Sequence, residues 1–122
     1  KKKETAHQDT ICVNYHRENA FRPSRYLGYN RNTPAMYFIE RGAYAIAESE
    51  LRRAIWLNPY EPAFLANLAW CLHKQNRHNE AEACLKQAME KDQDNVQVRH
   101  IESMIALEKK RSSSREHHET KD

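Results

Sequence analysis

Apolar residues recur with helical spacing along the middle of this chain, and polar residues occupy the positions between them. Within residues 62–75, for example, Leu65, Leu68 and Leu72 fall three or four positions apart, which is the spacing of a buried helix face. The pattern predicts five helices, at residues 34–41, at 44–57, at 62–75, in a segment that begins at Asn79, and at 96–110.

Capping residues indicate where two of the predicted helices begin. Thr33 is a good N-cap, and Pro34 suits the first helical position because no N–H is needed there. Asn79 and Glu82 have the spacing of a capping box, which predicts the start of the fourth helix.

Two flanking regions lack this pattern. Residues 1–33 have no sustained helical period, and we interpret 1–10 as disordered and 11–33 as an extended arm. Residues 111–122 contain no apolar side chain, so they cannot bury enough surface to fold. We therefore expect three regions: an irregular basic arm at 1–33, a helical domain at 34–110 and a disordered tail at 111–122.

The helical pattern repeats along the chain with a period of 34 residues. Residues 42–58, shifted by that distance, fall on residues 76–92. The matching pairs are Gly42 with Asn76, Ala47 with Ala81, Glu48 with Glu82, Leu51 with Leu85, Ala54 with Ala88, and Asn58 with Asp92. A fixed period of this length is typical of helical hairpins that stack into a solenoid.

On these residues the chain resembles the tetratricopeptide repeat family. Residues 62–95 resemble one complete repeat, and residues 34–61 resemble the later part of a preceding one. The resemblance implies an all-α fold, a short solenoid of about two helical hairpins closed by a capping helix, with the arm and the tail outside it. Asn76 replaces the turn glycine of the family, which is tolerated because asparagine adopts the left-handed conformation.

The resemblance also implies a function in protein–protein interaction, as an adaptor or scaffold. In the family, the first helix of each repeat lines a concave groove that receives a partner peptide or protein. The matching residues here are Met36, Ile39 and Glu40 in the first repeat, and Ala63, Ala66, Asn67, Trp70, His73 and Lys74 in the second. These side chains suit a mostly apolar peptide with an acidic group.

Trp70 is the expected anchor of this groove. It lies two positions from the core residue Leu68, about 200° around a helix, so it points away from the core stripe. Tryptophan is also enriched among the residues that dominate binding energy at protein interfaces. The alternative is that the arm or the final helix covers Trp70, in which case it belongs to the fold rather than to a binding site.

Some members of the family hold acidic C-terminal peptides of chaperones with a clamp of lysine, asparagine and arginine. This chain has Asn67 at one clamp position, but Asn32, Met36, Gln97 and Ile101 stand at the others. We therefore do not expect that chaperone function.

The arm suggests two alternatives to a groove-binding adaptor. Residues 1–34 contain seven lysines and arginines against three acidic residues, and aromatic residues are interleaved among them. Such a segment can anchor a structural subunit within a larger assembly. It can also bind single-stranded nucleic acid through stacking and phosphate contacts, although the chain has no RNA-module motif and its net charge is only +3.

The sequence offers no pattern typical of catalysis or metal binding. Cys12, Cys71 and Cys84 form no CxxC motif, and the seven histidines lack metal-ligand spacing. Phosphate loops, nucleophile elbows and HExxH motifs are missing, so we expect no metal, no cofactor and no enzymatic activity. The sequence also lacks the apolar run of a membrane span and the apolar segment of a leader peptide, and reduced cysteines fit a cytoplasmic protein.

Overall fold

The structure, a computed structural model, describes residues 22–121 of the 122-residue chain and the side chains of residues 22–113. The described residues form five helices: α1 (Tyr29–Glu40), α2 (Tyr44–Leu57), α3 (Pro62–Lys74), α4 (His78–Asp92) and α5 (Val96–Lys121). No strand occurs in this part of the chain. The all-α fold expected from the sequence is therefore confirmed.

Helix α3 lies at the centre of the fold. Helices α1 and α2 form one packed pair, α3 and α4 form a second, and α5 packs against both members of the second pair. Because α3 contacts all four other helices, eleven of its 13 residues are buried. The helix that the sequence identified as the first of the complete repeat is thus enclosed on most of its circumference.

The turns that end α1 and α3 close in the same way. After α3, the Arg77 N–H donates to the Leu72 carbonyl at 2.9 Å, and an equivalent bond closes α1 one repeat earlier. A helix end of this type needs a residue in the left-handed conformation. Gly42 has φ of 77° and Asn76 has φ of 65°, so asparagine fills the glycine position as the sequence predicted.

Small residues lie where the helices meet. The buried alanines of the described residues are Ala35, Ala47, Ala54, Ala66, Ala69, Ala81 and Ala88, none of them more than 2% exposed. Because alanine has no bulk beyond Cβ, helix axes can approach to the short end of the roughly 8–10 Å range.

Replacing Ala88 with leucine should lower the free energy of unfolding by about 1–3 kcal/mol, because the added atoms overpack a fully buried position. Ala83 lies on the same helix but is exposed, so Ala83→Leu is the matched control and should leave stability nearly unchanged. Chemical denaturation followed by circular dichroism measures both variants. Wild-type stability in Ala88→Leu would contradict close packing at this crossing.

Helix α1 begins earlier than the sequence predicted. It starts at Tyr29, directly after Gly28, and contains Pro34, so the start predicted at Thr33 and Pro34 is wrong. The Thr33 hydroxyl donates to the Tyr29 carbonyl at 3.1 Å instead of capping the helix. Pro34 is the sixth residue of this helix, beyond the first four N–H groups that have no helical partner, so it removes the one hydrogen bond that an N–H at this position would make to the Asn30 carbonyl. The arm boundary predicted at residue 33 therefore falls inside α1.

The capping box predicted at Asn79 and Glu82 is also wrong. Helix α4 begins at His78, and the residue at its N-cap, Arg77, makes no side-chain capping bond. The Arg77 guanidinium instead pairs with Glu48 of α2 and with Glu80 in the first turn of α4, each at 2.9 Å. It therefore links the two hairpins and also contacts the first turn of its own helix.

Helix α5 is longer than the predicted segment 96–110. Its 26 residues span about 39 Å, roughly twice the length of α3. Asn95 caps it, since its Oδ1 accepts from the N–H groups of Gln97 and Val98 at 2.9 and 3.1 Å. The tail boundary predicted at residue 111 falls inside this helix.

Residues 22–28, the described part of the predicted arm before α1, lie against the corner between α2 and α3. The buried Asn58 side chain donates to the carbonyls of Arg25 and Leu27 at 3.2 and 3.0 Å. The Ser24 N–H donates to the Leu57 carbonyl at 3.1 Å. Residues 1–21, on which the assembly and nucleic-acid alternatives mainly depend, lie outside the described residues.

Candidate functional site

A chain of side-chain amides connects α1, α3 and α5. Asn67 of α3 donates from Nδ2 to Asn32 Oδ1 of α1 at 3.0 Å, and its Oδ1 accepts from Gln97 Nε2 of α5 at 2.6 Å. Asn67 is 2% exposed, and both of its polar atoms are satisfied. These contacts bring the three helices together on one side of the fold, which we call the amide face and define by Asn32, Asn67 and Gln97.

The predicted groove residues of the first repeat lie on α1. Met36 and Ile39 are half-buried, and Glu40 is exposed. Ile39 packs against both apolar clusters of the core. Glu40 is therefore the most accessible predicted site residue on this helix.

The predicted groove residues of the second repeat are mostly enclosed. Ala63 is half-buried, whereas Ala66 and Asn67 are buried. Trp70 is only 7% exposed and belongs to one cluster with three residues of the last helix, Val98, Ile101 and Ile105. The final helix thus covers Trp70, which is the alternative that the sequence left open.

His73 and Lys74, at the end of α3, both bind Glu108 of α5. His73 Nε2 lies 3.0 Å from Glu108 Oε1, and Lys74 Nζ lies 2.9 Å from Glu108 Oε2. The His73 ring stacks on Trp70 with centroids 5.7 Å apart, and the Lys74 ammonium lies 5.3 Å from the Trp70 ring centroid. One carboxylate of α5 therefore holds two predicted groove residues in place.

The second nitrogen of His73 faces another histidine. His73 Nδ1 lies 3.1 Å from His78 Nδ1, so one of these atoms carries the proton and the other accepts it. Because His73 Nε2 faces a carboxylate, the consistent assignment has His73 donating to Glu108 and accepting from His78. Burial lowers the pKa of His73, although the bond to Glu108 opposes this shift. The hydrogen bond from Lys74 lowers the pKa of Glu108.

Acidification should lower the stability of the fold through His73. Since burial lowers its pKa in the folded chain, the unfolded chain takes up this proton first as the pH falls below 6.5. The stability contribution is complete above that value and is lost as the pH falls through the lowered pKa. Glu108, with a lowered carboxyl pKa, titrates in a more acidic range, below 4.5.

The melting temperature should therefore fall between about pH 7.5 and about pH 5.5, and it should fall less in His73→Gln than in the wild type. His100 is exposed on α5, so His100→Gln is the matched control and should keep the wild-type response. An unchanged pH response in His73→Gln would contradict the role assigned to this buried ring.

Glu108 was missed by reasoning from the sequence. It stands one repeat length after Lys74, at the same position of the 34-residue period. Continuing the period into the last helix would have placed the two side chains on neighbouring helices. The sequence predicted only that this helix closes the stack.

The two cysteines among the described residues are shielded from solvent to different degrees. Cys71 is fully buried, and burial raises the pKa of its thiol to about 12, so it stays protonated. Cys84 is half-buried with its pKa raised by the same effect, and Cys12 lies outside the described residues.

Among residues 22–113, no three histidine, cysteine or acidic side chains are grouped so that they could hold a metal ion. None of the described helices combines the length and apolar character that a membrane span requires.

Comparison with known proteins supports the repeat architecture. The family model described as tetratricopeptide repeat matches residues 38–105, which is more than half of the chain and extends from α1 into α5. No curated protein and no solved structure matches the chain significantly. The period of the sequence, the equivalent turns after α1 and α3 and the family match agree, and the chain belongs to the tetratricopeptide repeat family.

Proposed function

We propose that this chain is an adaptor or scaffold module that binds a protein partner along the amide face. Repeats of this family generally mediate protein–protein interaction, which supports the general role. The observation that carries the finer proposal is the bonded series Asn32–Asn67–Gln97, since it holds α1, α3 and α5 in a fixed arrangement before any partner arrives. A preformed face avoids part of the ordering cost of binding.

The partly exposed side chains assigned to this face determine which partner it suits. Met36, Ile39 and Ala63 offer apolar contacts and Glu40 offers an exposed negative charge, whereas the Lys74 ammonium already pairs with Glu108. The buried residues Ala66 and Trp70 support the face from beneath. A partner segment with apolar side chains and a charged residue fits this composition.

The amide series also argues against capture of a free C-terminal carboxylate in the manner of the chaperone clamp. Asn32, Asn67 and Gln97 bind one another, and Met36 and Ile101 at the remaining clamp positions are apolar. None of these five side chains carries the positive charge that a carboxylate requires.

The proposal is tested by measuring the affinity of a partner for matched variants. A partner is first captured from native lysate by cross-linking and identified by mass spectrometry, and the purified pair is then titrated by calorimetry. Glu40→Lys should weaken binding at least about tenfold, because the proposal puts this exposed carboxylate of α1 against the partner. Glu90→Lys makes the same charge change on the exposed side of α4 and should leave the affinity within about twofold.

Met36→Gln provides a second test that does not depend on charge. It removes an apolar contact at a half-buried position of α1 and should weaken binding several-fold. Unchanged affinity in both Glu40→Lys and Met36→Gln, or equal losses in Glu40→Lys and Glu90→Lys, would overturn the proposed site.

A further inference from the structure

A cavity of about 430 Å³ lies where the turn between α3 and α4 meets α5. The residues that line it include two lysines, Lys74 and Lys109, together with His78 and Ser112. Among the described residues that line it, Glu108 alone is acidic. The cavity is thus rich in hydrogen-bond donors and in positive charge.

The contacts of Glu108 show that the end of α3 binds a carboxylate. Each of its carboxylate oxygens meets a different donor, His73 Nε2 at 3.0 Å and Lys74 Nζ at 2.9 Å. His73 is 6% exposed and is held by its stack on Trp70, so its donor points in a fixed direction. The two donors form a preorganised site for an oxyanion, and in this structure the chain's own α5 supplies the oxyanion.

Lys109 stands next to this site and is only loosely engaged. Its ammonium lies 3.7 Å from Glu82, and both side chains are more than half exposed, so the pair contributes little stability. Lys109 can therefore turn toward an anion in the cavity at small cost. Ser112 adds a hydroxyl donor one helical turn further along α5.

We propose that this cavity binds an acidic side chain of a protein partner, a carboxylate or a phosphorylated residue, by replacing Glu108 at His73 and Lys74. The inference rests on the proposed function, because it supplies the charged contact for a partner segment that lies along the same helices. Glu108 acts as an internal competitor that leaves when the partner's anion enters.

Charge determines which anion should bind more tightly. A partner carboxylate that replaces Glu108 exchanges one ion pair for another and gains only the contact with Lys109. A phosphate group carries nearly two charges and three strong acceptor oxygens, so it can engage Lys74, Lys109 and Ser112 together. We therefore expect a phosphorylated side chain to bind more tightly than a carboxylate.

The test uses three short peptides that differ at one central position, which is phosphoserine, glutamate or serine. Binding is followed at neutral pH by the NMR signals of the imidazoles of His73 and His78, which line the cavity. The phosphoserine peptide should produce saturable shifts, the glutamate peptide weaker ones, and the serine peptide none. Saturation by the glutamate peptide at equal concentration would identify the carboxylate as the source of the anion and would still support the site.

Three variants test whether the NMR shifts arise from peptide binding in this cavity. Glu108→Gln removes the competitor and should raise the affinity several-fold, whereas Lys109→Gln should lower it several-fold. Lys86 is an exposed lysine of α4 outside the cavity, so Lys86→Gln should bind like the wild type. No saturable shift with any peptide, no gain in Glu108→Gln, or equal losses in Lys109→Gln and Lys86→Gln would overturn the inference. The Lys109 side chain is more than half exposed, so Lys109→Gln should fold, and its affinity for the peptides can be measured even if Glu108→Gln fails to fold.

Affinity for the captured partner separates this inference from the proposed function. If Glu40→Lys weakens partner binding and Lys109→Gln does not, the partner uses the amide face but not the cavity, and only the inference fails. If Glu40→Lys, Met36→Gln and Lys109→Gln all bind like the wild type, the proposed function fails as well.

Discussion

Replacing Trp70 with alanine should lower the free energy of unfolding by about 3–5 kcal/mol. Trp70 is 7% exposed and packs between α3 and α5 with Val98, Ile101 and Ile105. Its removal leaves a cavity in the cluster and takes away the ring on which His73 stacks. Urea denaturation followed by circular dichroism measures the loss.

Trp56 provides the matched control for this variant. It is the other tryptophan of the chain, lies on α2 and is 48% exposed, so Trp56→Ala should cost no more than about 1 kcal/mol. Equal losses in the two variants would contradict the placement of Trp70 in the core. Any loss of partner binding in Trp70→Ala has to be corrected for its unfolded fraction before it is attributed to the interface.

Replacing Gly28 with alanine should lower the free energy of unfolding by about 2–4 kcal/mol, through left-handed strain and overpacking together. Gly28 has φ of 93°, and a Cβ there would lie 2.8 Å from the Ala54 carbonyl oxygen and 2.8 Å from a ring carbon of Phe64. The first contact is with backbone at the end of α2, which cannot turn aside as a flexible side chain can. Thermal and urea denaturation both measure the effect.

A substitution at Gly42 separates the effect of left-handed strain from the effect of overpacking. It also has a positive φ, 77°, but a Cβ there would meet no atom of the described residues within 4 Å. Gly42→Ala should therefore cost only the conformational strain, about 1–2 kcal/mol. A loss in Gly28→Ala no larger than that in Gly42→Ala would show that residues 22–28 do not pack against α2 and α3 as described.

The features of the fold that follow from local periodicity were predictable. The 34-residue period requires two equivalent turns, and Asn76 adopts the left-handed conformation that its position after α3 demands. The buried alanines at helix crossings follow from the same register. Each of these depends on residues within one hairpin or on the repetition of that hairpin.

Features set by contacts between distant segments were not predictable in the same way. Thr33 and Pro34 look like a helix start, but the start is set by Gly28, whose close approach to Ala54 and Phe64 depends on the tertiary fold. Asn79 looks like a cap, but α4 begins one residue earlier, and Arg77 before it pairs both with Glu48 of α2 and with Glu80. At the start of α1 a contact between distant segments outweighs the local capping preference.

The candidate site shows the same division. The helical spacing of the apolar residues identified Trp70 as a residue of α3 that points away from the core stripe. It could not show that α5 covers that side of α3. Asn32 and Gln97 were recognised only as departures from a clamp, because the start predicted for α1 left Asn32 outside any helix. The bonds of both residues to Asn67 become visible only when the three helices are placed together.

Hydrogen–deuterium exchange of the chain with and without its captured partner tests the central claim most directly. If the partner lies along the amide face, its binding should slow backbone hydrogen exchange in α1 and in residues 96–110 of α5. The exchange rates of α2 and α4 should stay unchanged. Slower exchange confined to α2 and α4 would place the partner on the opposite side of the stack and would contradict the account.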